Sequence, residues 1–144
     1  MAYSAEHYLP HQSPMVMLDD VHSVGEDGAE CSVTLSKDGV LAPFLDAQGC
    51  LPNWFAIELM AQTIGVWRGW HGLAQAIPPT IGMLLGGRAI SCELPVFPAG
   101  SKLQVCVQLI LQDEKIGSFE CCINMAGKQV ARGRLNTYQP DAEE

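Results

Sequence analysis

The sequence predicts an α+β domain in which one long helix lies among several antiparallel strands. Two observations support this: residues 53–70 form an apolar segment of helical length, and the segments on both sides alternate apolar and polar residues with the period of two typical of strands. With 144 residues, of which 48% are hydrophobic, the chain fits one domain spanning 1–144. Only the tail, residues 139–144, is expected to fray.

Apolar residues at every second position predict the faces of three strands. They fall in residues 28–36 (Ala29, Cys31, Val33, Leu35), in residues 103–111 (Leu103, Val105, Val107, Leu109, Leu111) and in residues 119–125 (Phe119, Cys121, Ile123, Met125). Turn residues at 113–117 and 126–128 make residues 101–138 an antiparallel meander. Residues 15–24 and 83–93 are predicted as further strands.

The helix is predicted to begin after Pro52. It is also predicted to be surrounded by the rest of the protein, because it has almost no polar face. Ala61, Gly65 and Gly69 recur every four residues, a spacing that would let a strand or a second helix approach closely. Core packing alone also explains this stripe of small side chains.

Glu58 is the acidic residue of this apolar helix, and Gln62 follows one turn later on the same face. Burial raises the pKa of a carboxyl group toward neutrality, so a buried glutamic acid can hold a proton and deliver it to a leaving group. Glu58 is therefore a candidate general acid. The alternative is that it faces a wet groove or pairs with an arginine such as Arg88.

Composition argues against several other classes. A net charge of −8 with eight Lys and Arg does not favour nucleic acid or anionic membrane as a partner. The six cysteines lack metal-ligand or redox spacing, so we expect no metal or other cofactor, and we expect most thiols to be small core residues in a reducing, cytoplasmic setting. The first residues lack the pattern of a signal peptide, and no segment has the length and apolarity for membrane insertion.

Three segments carry a resemblance to a known family: "YLPHQSPMVMLDDV" (8–21), "LPNWFAIELMAQTIGV" (51–66) and "LPVFPAGSKLQVCVQLI" (94–110). In order and spacing they resemble the hot-dog dehydratases that act on 3-hydroxyacyl groups carried by acyl carrier protein, over residues 8–138. The resemblance implies a curved antiparallel sheet wrapped around one long central helix. It also implies a dimer whose active sites lie between the two subunits.

The resemblance implies that water is eliminated across C2 and C3 of a 3-hydroxyacyl thioester. Glu58, in the "IELMAQ" motif, matches the family's catalytic acid. The backbone N–H groups of Asn53 and Trp54 match the end of the helix that binds the thioester carbonyl, although the family usually has glycine in place of Asn53. Gln62, on the face of Glu58, is a further candidate for substrate binding.

The family's catalytic histidine is missing. It lies eight residues before the helix-starting proline, where this chain has Phe44. His7, His11, His22 and His71 match no catalytic position, and the loop residue Asp46 would be a weak base. Because acid and base of one site come from opposite subunits in this fold, a second hot-dog chain with the histidine would complete the site. The sequence most resembles the dehydratase-like subunits encoded with aryl polyene biosynthesis.

Three functions therefore remain open: a dehydratase subunit that contributes Glu58 to a shared site, a non-catalytic stabilising subunit, and a homodimeric hot-dog enzyme such as a thioesterase. Docking of an acidic acyl carrier protein requires a basic patch, for which the candidates are Arg88, Lys128, Arg132 and Arg134. Solvated charges that discourage strand aggregation explain the same residues equally well.

Overall fold

A computed structural model describes residues 5, 8, 16–74, 83–113 and 116–138. Within these residues the chain forms one α-helix and eight strands. They are β1 (Asp20–Val24), β2 (Gly28–Thr34), β3 (Leu51–Pro52), α1 (Phe55–Ala74), β4 (Met83–Cys92), β5 (Val96–Phe97), β6 (Lys102–Asp113), β7 (Ile116–Met125) and β8 (Lys128–Tyr138). Residues 139–144, which were predicted to fray, lie outside the described residues, and so do His7 and His11.

Six strands form one antiparallel sheet in the order β1-β2-β6-β7-β8-β4, and β3 pairs with β5 in a separate ribbon. The consecutive strands β6, β7 and β8 confirm the predicted meander. At the β7–β8 turn Ala126 and Gly127 have φ angles of 53° and 79°, as the tight turn of a hairpin requires. The β6–β7 turn passes through residues 114–115, outside the described residues.

The face of the sheet toward α1 carries the predicted alternating side chains. Cys31, Val33, Val105 and Ile123 are among those fully buried on it. The prediction is wrong at Leu111, which is 66% exposed, because the β6–β7 register shifts between Leu109 and Leu111 and ends the alternation.

The helix α1 packs on that face and buries one side against the sheet: Leu59, Met60, Ile64, Val66 and Trp67 are all buried. This single central helix on an antiparallel sheet confirms the predicted α+β class and the hot-dog arrangement. The expectation that the helix would be covered all round is wrong for the single chain. Trp54, just before it, is 69% exposed, and Ala61 and Gly65 are only half-buried, because one sheet covers only one side of a helix.

Gly69 is the member of the small-residue stripe that permits a close approach. A Cβ atom at this position would lie 1.9 Å from the carbonyl oxygen of Tyr8, which is buried on the helix. The segment that approaches at Gly69 is the turn at Tyr8, whereas the stripe was predicted to admit a strand or a second helix.

All six cysteines are free. Cys31 and Cys121 are buried core residues, as predicted, whereas Cys50, Cys92, Cys106 and Cys122 are half-buried, so the prediction that most thiols lie in the core is wrong. The sheet alternation places Cys106 and Cys122 between buried neighbours, on the face away from α1.

Candidate active site at the start of the long helix

Two short strands fix the start of α1. Pro52 pairs with Val96 in the β3–β5 ribbon, and Asn53 follows directly. The Asn53 side-chain amide donates a hydrogen bond to the Leu94 carbonyl at 3.1 Å, and the Asn53 carbonyl accepts one from the Ala56 N–H at 3.0 Å. The first N–H groups of a helix lack partners within the helix and form its positive end, so this anchored turn presents donors to a ligand.

Three aromatic rings lie beside this turn. Phe44, in a short 3₁₀ helix (Ala42–Phe44), has its ring centroid 5.3 Å from that of Phe55. The Phe55 ring stacks with Trp54 at 6.1 Å. Phe44 stands eight residues before Pro52, where the resemblance places the family histidine, so among the described residues an apolar ring lies at the start of the helix. The sequence showed the missing histidine but not this aromatic cluster, because Phe44 and Phe55, eleven residues apart in sequence, meet only in the fold.

The described histidines and Asp46 are engaged elsewhere. His22 Nε2 lies 2.7 Å from Ser32 Oγ, and His71 Nε2 lies 3.2 Å from the Gly25 carbonyl. His71 follows Glu58 by thirteen helical residues, a separation of about 20 Å along the axis. Asp46 Oδ1 accepts hydrogen bonds from two N–H groups of its own loop, at 2.9 Å each, and so stabilises a turn.

Glu58 lies one helical turn after Trp54 and is exposed. The prediction that it is a buried acid is therefore wrong for the single chain, because the sheet lies against the other side of α1. Neither of the ion pairs found between described residues involves Glu58, and Arg88 lies on β4 opposite Arg134. The proposed pairing with Arg88 is thus not present.

Gln62 is 2% exposed, and its side-chain oxygen accepts a hydrogen bond from the Met17 N–H at 2.8 Å. It ties the segment before β1 to the middle of α1. The structure thus places Gln62 in the interior, whereas Glu58 and Trp54 lie at the surface.

Arg68 was not selected from the sequence, although its spacing from Glu58, Ala61 and Gly65 puts all four on one helix face. Its Nη2 donates to Thr137 Oγ1 at 2.8 Å, and the guanidinium lies over the rings of Trp67 (5.7 Å) and Phe119 (5.9 Å). Burial lowers the pKa of the guanidinium, and its Nε has no hydrogen-bond partner. The open helix face therefore runs from a carboxylate to a half-buried cation.

The candidate carrier-docking residues lie on β4 and β8, and two of them are neutralised locally. Arg134 forms a salt bridge with Glu120 at 3.1 Å, and Lys128 lies 4.0 Å from Glu93. Arg88 and Arg132 are exposed and are in neither pair.

No group of His, Cys, Asp and Glu side chains among the described residues could hold a metal ion. In the same part of the chain, no helix combines the length and apolarity needed to span a membrane.

Comparison with known proteins gives a family and a fold. The model of the ApeP-like family, described as ApeP dehydratase, matches residues 3–144. A chain of the dehydratase heterocomplex ApeI:P from Xenorhabdus doucetiae is 52% identical, with 99% of this chain and 94% of that chain covered and a TM-score of 0.93. The PaaI protein of the E. coli phenylacetic acid degradation operon is 18% identical, with 83% and 81% covered and a TM-score of 0.63, a likeness of fold alone.

The chain belongs to the ApeP-like dehydratase family. It is a dehydratase-like subunit with the hot-dog fold, as the sequence resemblance implied. The comparisons do not favour a stabilising subunit or a thioesterase.

Proposed function

We propose that this chain forms a heterodimeric dehydratase with a second hot-dog subunit and contributes Glu58 as the general acid of a shared active site. The observation that carries the proposal is the exposed Glu58 on a helix face that its own chain leaves open. Phe44, at the sequence position of the family base, packs against Phe55 in the first turn of the same helix. A solved relative is itself described as a dehydratase heterocomplex. The missing base would come from a histidine of the second subunit.

The substrate proposed is a 3-hydroxyacyl thioester on an acyl carrier protein, in fatty acid or aryl polyene biosynthesis. The partner's base takes the C2 proton, the C2–H electron pair forms the C2–C3 double bond, and the C3–O bond breaks. Glu58 gives its proton to the departing hydroxyl, which leaves as water. The N–H groups of Asn53 and Trp54 hydrogen-bond the thioester carbonyl, where negative charge builds up.

The partner would also supply the cover that Glu58 needs. Removal from water favours the protonated form of a carboxylic acid, and in the single chain Glu58 is exposed. A second subunit on the open face of α1 would bury the carboxyl group and exclude water from the active site between the subunits.

The edge strand β4 is the proposed place for that subunit. It is the last strand in the sheet order, with one edge that pairs with no other described strand, and it exposes Leu84 (45%), Leu85 (55%) and Ile90 (39%). Unpaired backbone groups beside exposed apolar side chains favour pairing with another strand.

Arg88 and Arg132 are the residues we propose for docking the acidic carrier, because they are exposed and lie outside the ion pairs of Arg134 and Lys128. The free thiols agree with a cytoplasmic location, which we also propose.

The test is Glu58→Gln in the purified heterodimer. Glutamine keeps the size of the side chain but cannot deliver a proton, so kcat should fall about 10²-fold or more, with assembly unchanged. Glu120→Gln is the matched control, since this exposed carboxylate lies on β7 and is bound to Arg134; its kcat should stay near that of the unaltered complex. Full activity of Glu58→Gln would show that the chain has a supporting, non-catalytic role.

A further inference from the structure

Four side chains form a row across the sheet on the face away from α1. Glu30 of β2 is in register with Cys106 of β6, Cys106 with Cys122 of β7, and Cys122 with Arg132 of β8. Their sequence neighbours on β6 and β7 point toward the helix and are buried, so the row lies on the opposite face from the candidate active site.

The two thiols of the row lie side by side. Cα atoms of directly opposed residues in an antiparallel pair are about 4.5–5.5 Å apart, within the range of about 4.4–6.8 Å found for disulfides. The Cys106 thiol lies 3.6 Å from a Glu30 carboxylate oxygen, to which it donates, and the Cys122 thiol contacts Cys106. Joining the sulfurs therefore needs rotation of the side chains and no change in strand pairing.

A small reagent can reach the pair. An open groove of about 510 Å³ follows this face, and its lining includes Cys106, Cys122, Glu30 and Arg132. Both cysteines are half-buried, in contrast to Cys121, which lies in the core.

We propose that Cys106 and Cys122 are a thiol–disulfide exchange site, which a low-molecular-weight disulfide such as oxidised glutathione converts into a disulfide between β6 and β7. One thiolate attacks a sulfur of the oxidant, breaks its S–S bond and releases one thiolate. The second protein thiol then loses its proton and attacks the mixed disulfide, which releases the second thiolate. Two protein thiols are oxidised and one disulfide is reduced to two thiols.

The surroundings determine which sulfur reacts first. Burial, then the neighbouring Cys122 and Glu30, raise the pKa of Cys106 to about 12. Burial also raises the pKa of Cys122, but Cys106 opposes that rise, because its thiol can turn from Glu30 and donate to the Cys122 thiolate. Cys122 is therefore the attacking residue, Cys106 the resolving residue, and Glu30 holds both in the slow, protonated form.

The groove that holds the pair is also lined by three other charged residues, Asp27, Glu120 and Arg132. Glu120 also raises the pKa of Cys122, whereas the cation of Arg132 faces Cys122 from β8. Cys122 is thus the thiol in register with a cation, whereas Cys106 is in register with the Glu30 carboxylate.

The experiment treats the reduced full-length protein with excess oxidised glutathione and maps its tryptic peptides by mass spectrometry. Cleavage at Lys115 separates Cys106 from Cys122, so a disulfide links two peptides. The expected product is a link from Cys106 to Cys122, assigned by tandem spectra, with no glutathione retained. Free thiols, stable mixed disulfides alone or a link to Cys121 would overturn the proposal.

Three variants sharpen the test. Cys106→Ser should stop at a mixed disulfide on Cys122, whereas the control Cys121→Ala should retain the link. Glu30→Gln should oxidise faster, because removal of the carboxylate lowers the pKa of the attacking thiol. Each unit of decrease in this pKa should raise the rate about threefold, since the gain in thiolate exceeds the loss in nucleophilicity. An unchanged or slower rate would contradict the role of Glu30, and a Cys106→Ser protein that still forms an intramolecular link would contradict the pairing.

Discussion

The polar residues Gln62 and Glu58 of α1 have different roles: one is buried in the core and the other is exposed. Gln62 and Glu58 are one turn apart, yet Gln62 is buried with its oxygen on the Met17 N–H, while Glu58 lies in the open. The sequence gives both the same polar character, because side-chain type does not reveal which face meets the sheet. The carboxylate is therefore the member of the pair that a partner or substrate can reach.

Gln62→Met tests this separation. Methionine is similar in size but leaves the Met17 N–H unpaired in the interior, so the free energy of unfolding should fall by about 1–3 kcal/mol in urea denaturation. Gln108→Met, on an exposed site of β6, should change it by less than about 0.5 kcal/mol. Unaltered stability of Gln62→Met would contradict a structural role and return Gln62 to the substrate-binding candidates.

At the scale of elements, sequence periodicity predicted most strands well. Alternation is a direct consequence of one buried sheet face, and it located β2, β6 and β7, whereas β8 was predicted as the last strand of the meander from the turn residues before it. It failed where the register shifts, as at Leu111, and strand β1 begins at Asp20, later than predicted. The helix was predicted, but not its open side, since apolar residues that meet a partner look the same in sequence as those that meet the core.

Gly69→Ala is the corresponding prediction for α1. Helix propensity alone would make alanine more favourable by up to about 1 kcal/mol, but the new Cβ would collide with the Tyr8 carbonyl. Overpacking of this kind costs about 1–3 kcal/mol, so the variant should have a lower Tm by calorimetry. A Tm above that of the unaltered protein would contradict the close contact between Tyr8 and α1.

For the whole molecule, the open helix face and the edge of β4 predict obligate association. Their exposed apolar side chains, among them Trp54 and Leu85, would be buried in a permanent interface of about 2,000 Å² or more. Light scattering should therefore find no stable monomer at micromolar concentration. A monodisperse monomer would show that the open faces do not form an interface.

Reconstitution of the activity tests the shared-site account most directly. The rate of dehydration of a 3-hydroxyacyl carrier thioester would be measured for this chain alone, for a histidine-bearing hot-dog partner alone, and for their purified complex. Loss of a positioned base lowers the rate by about 10²- to 10⁴-fold, so the account predicts that this chain alone is at least about 10²-fold slower than the complex. If a verified homodimer of this chain turns over as fast as the complex, its own residues supply the base and the shared active site is wrong.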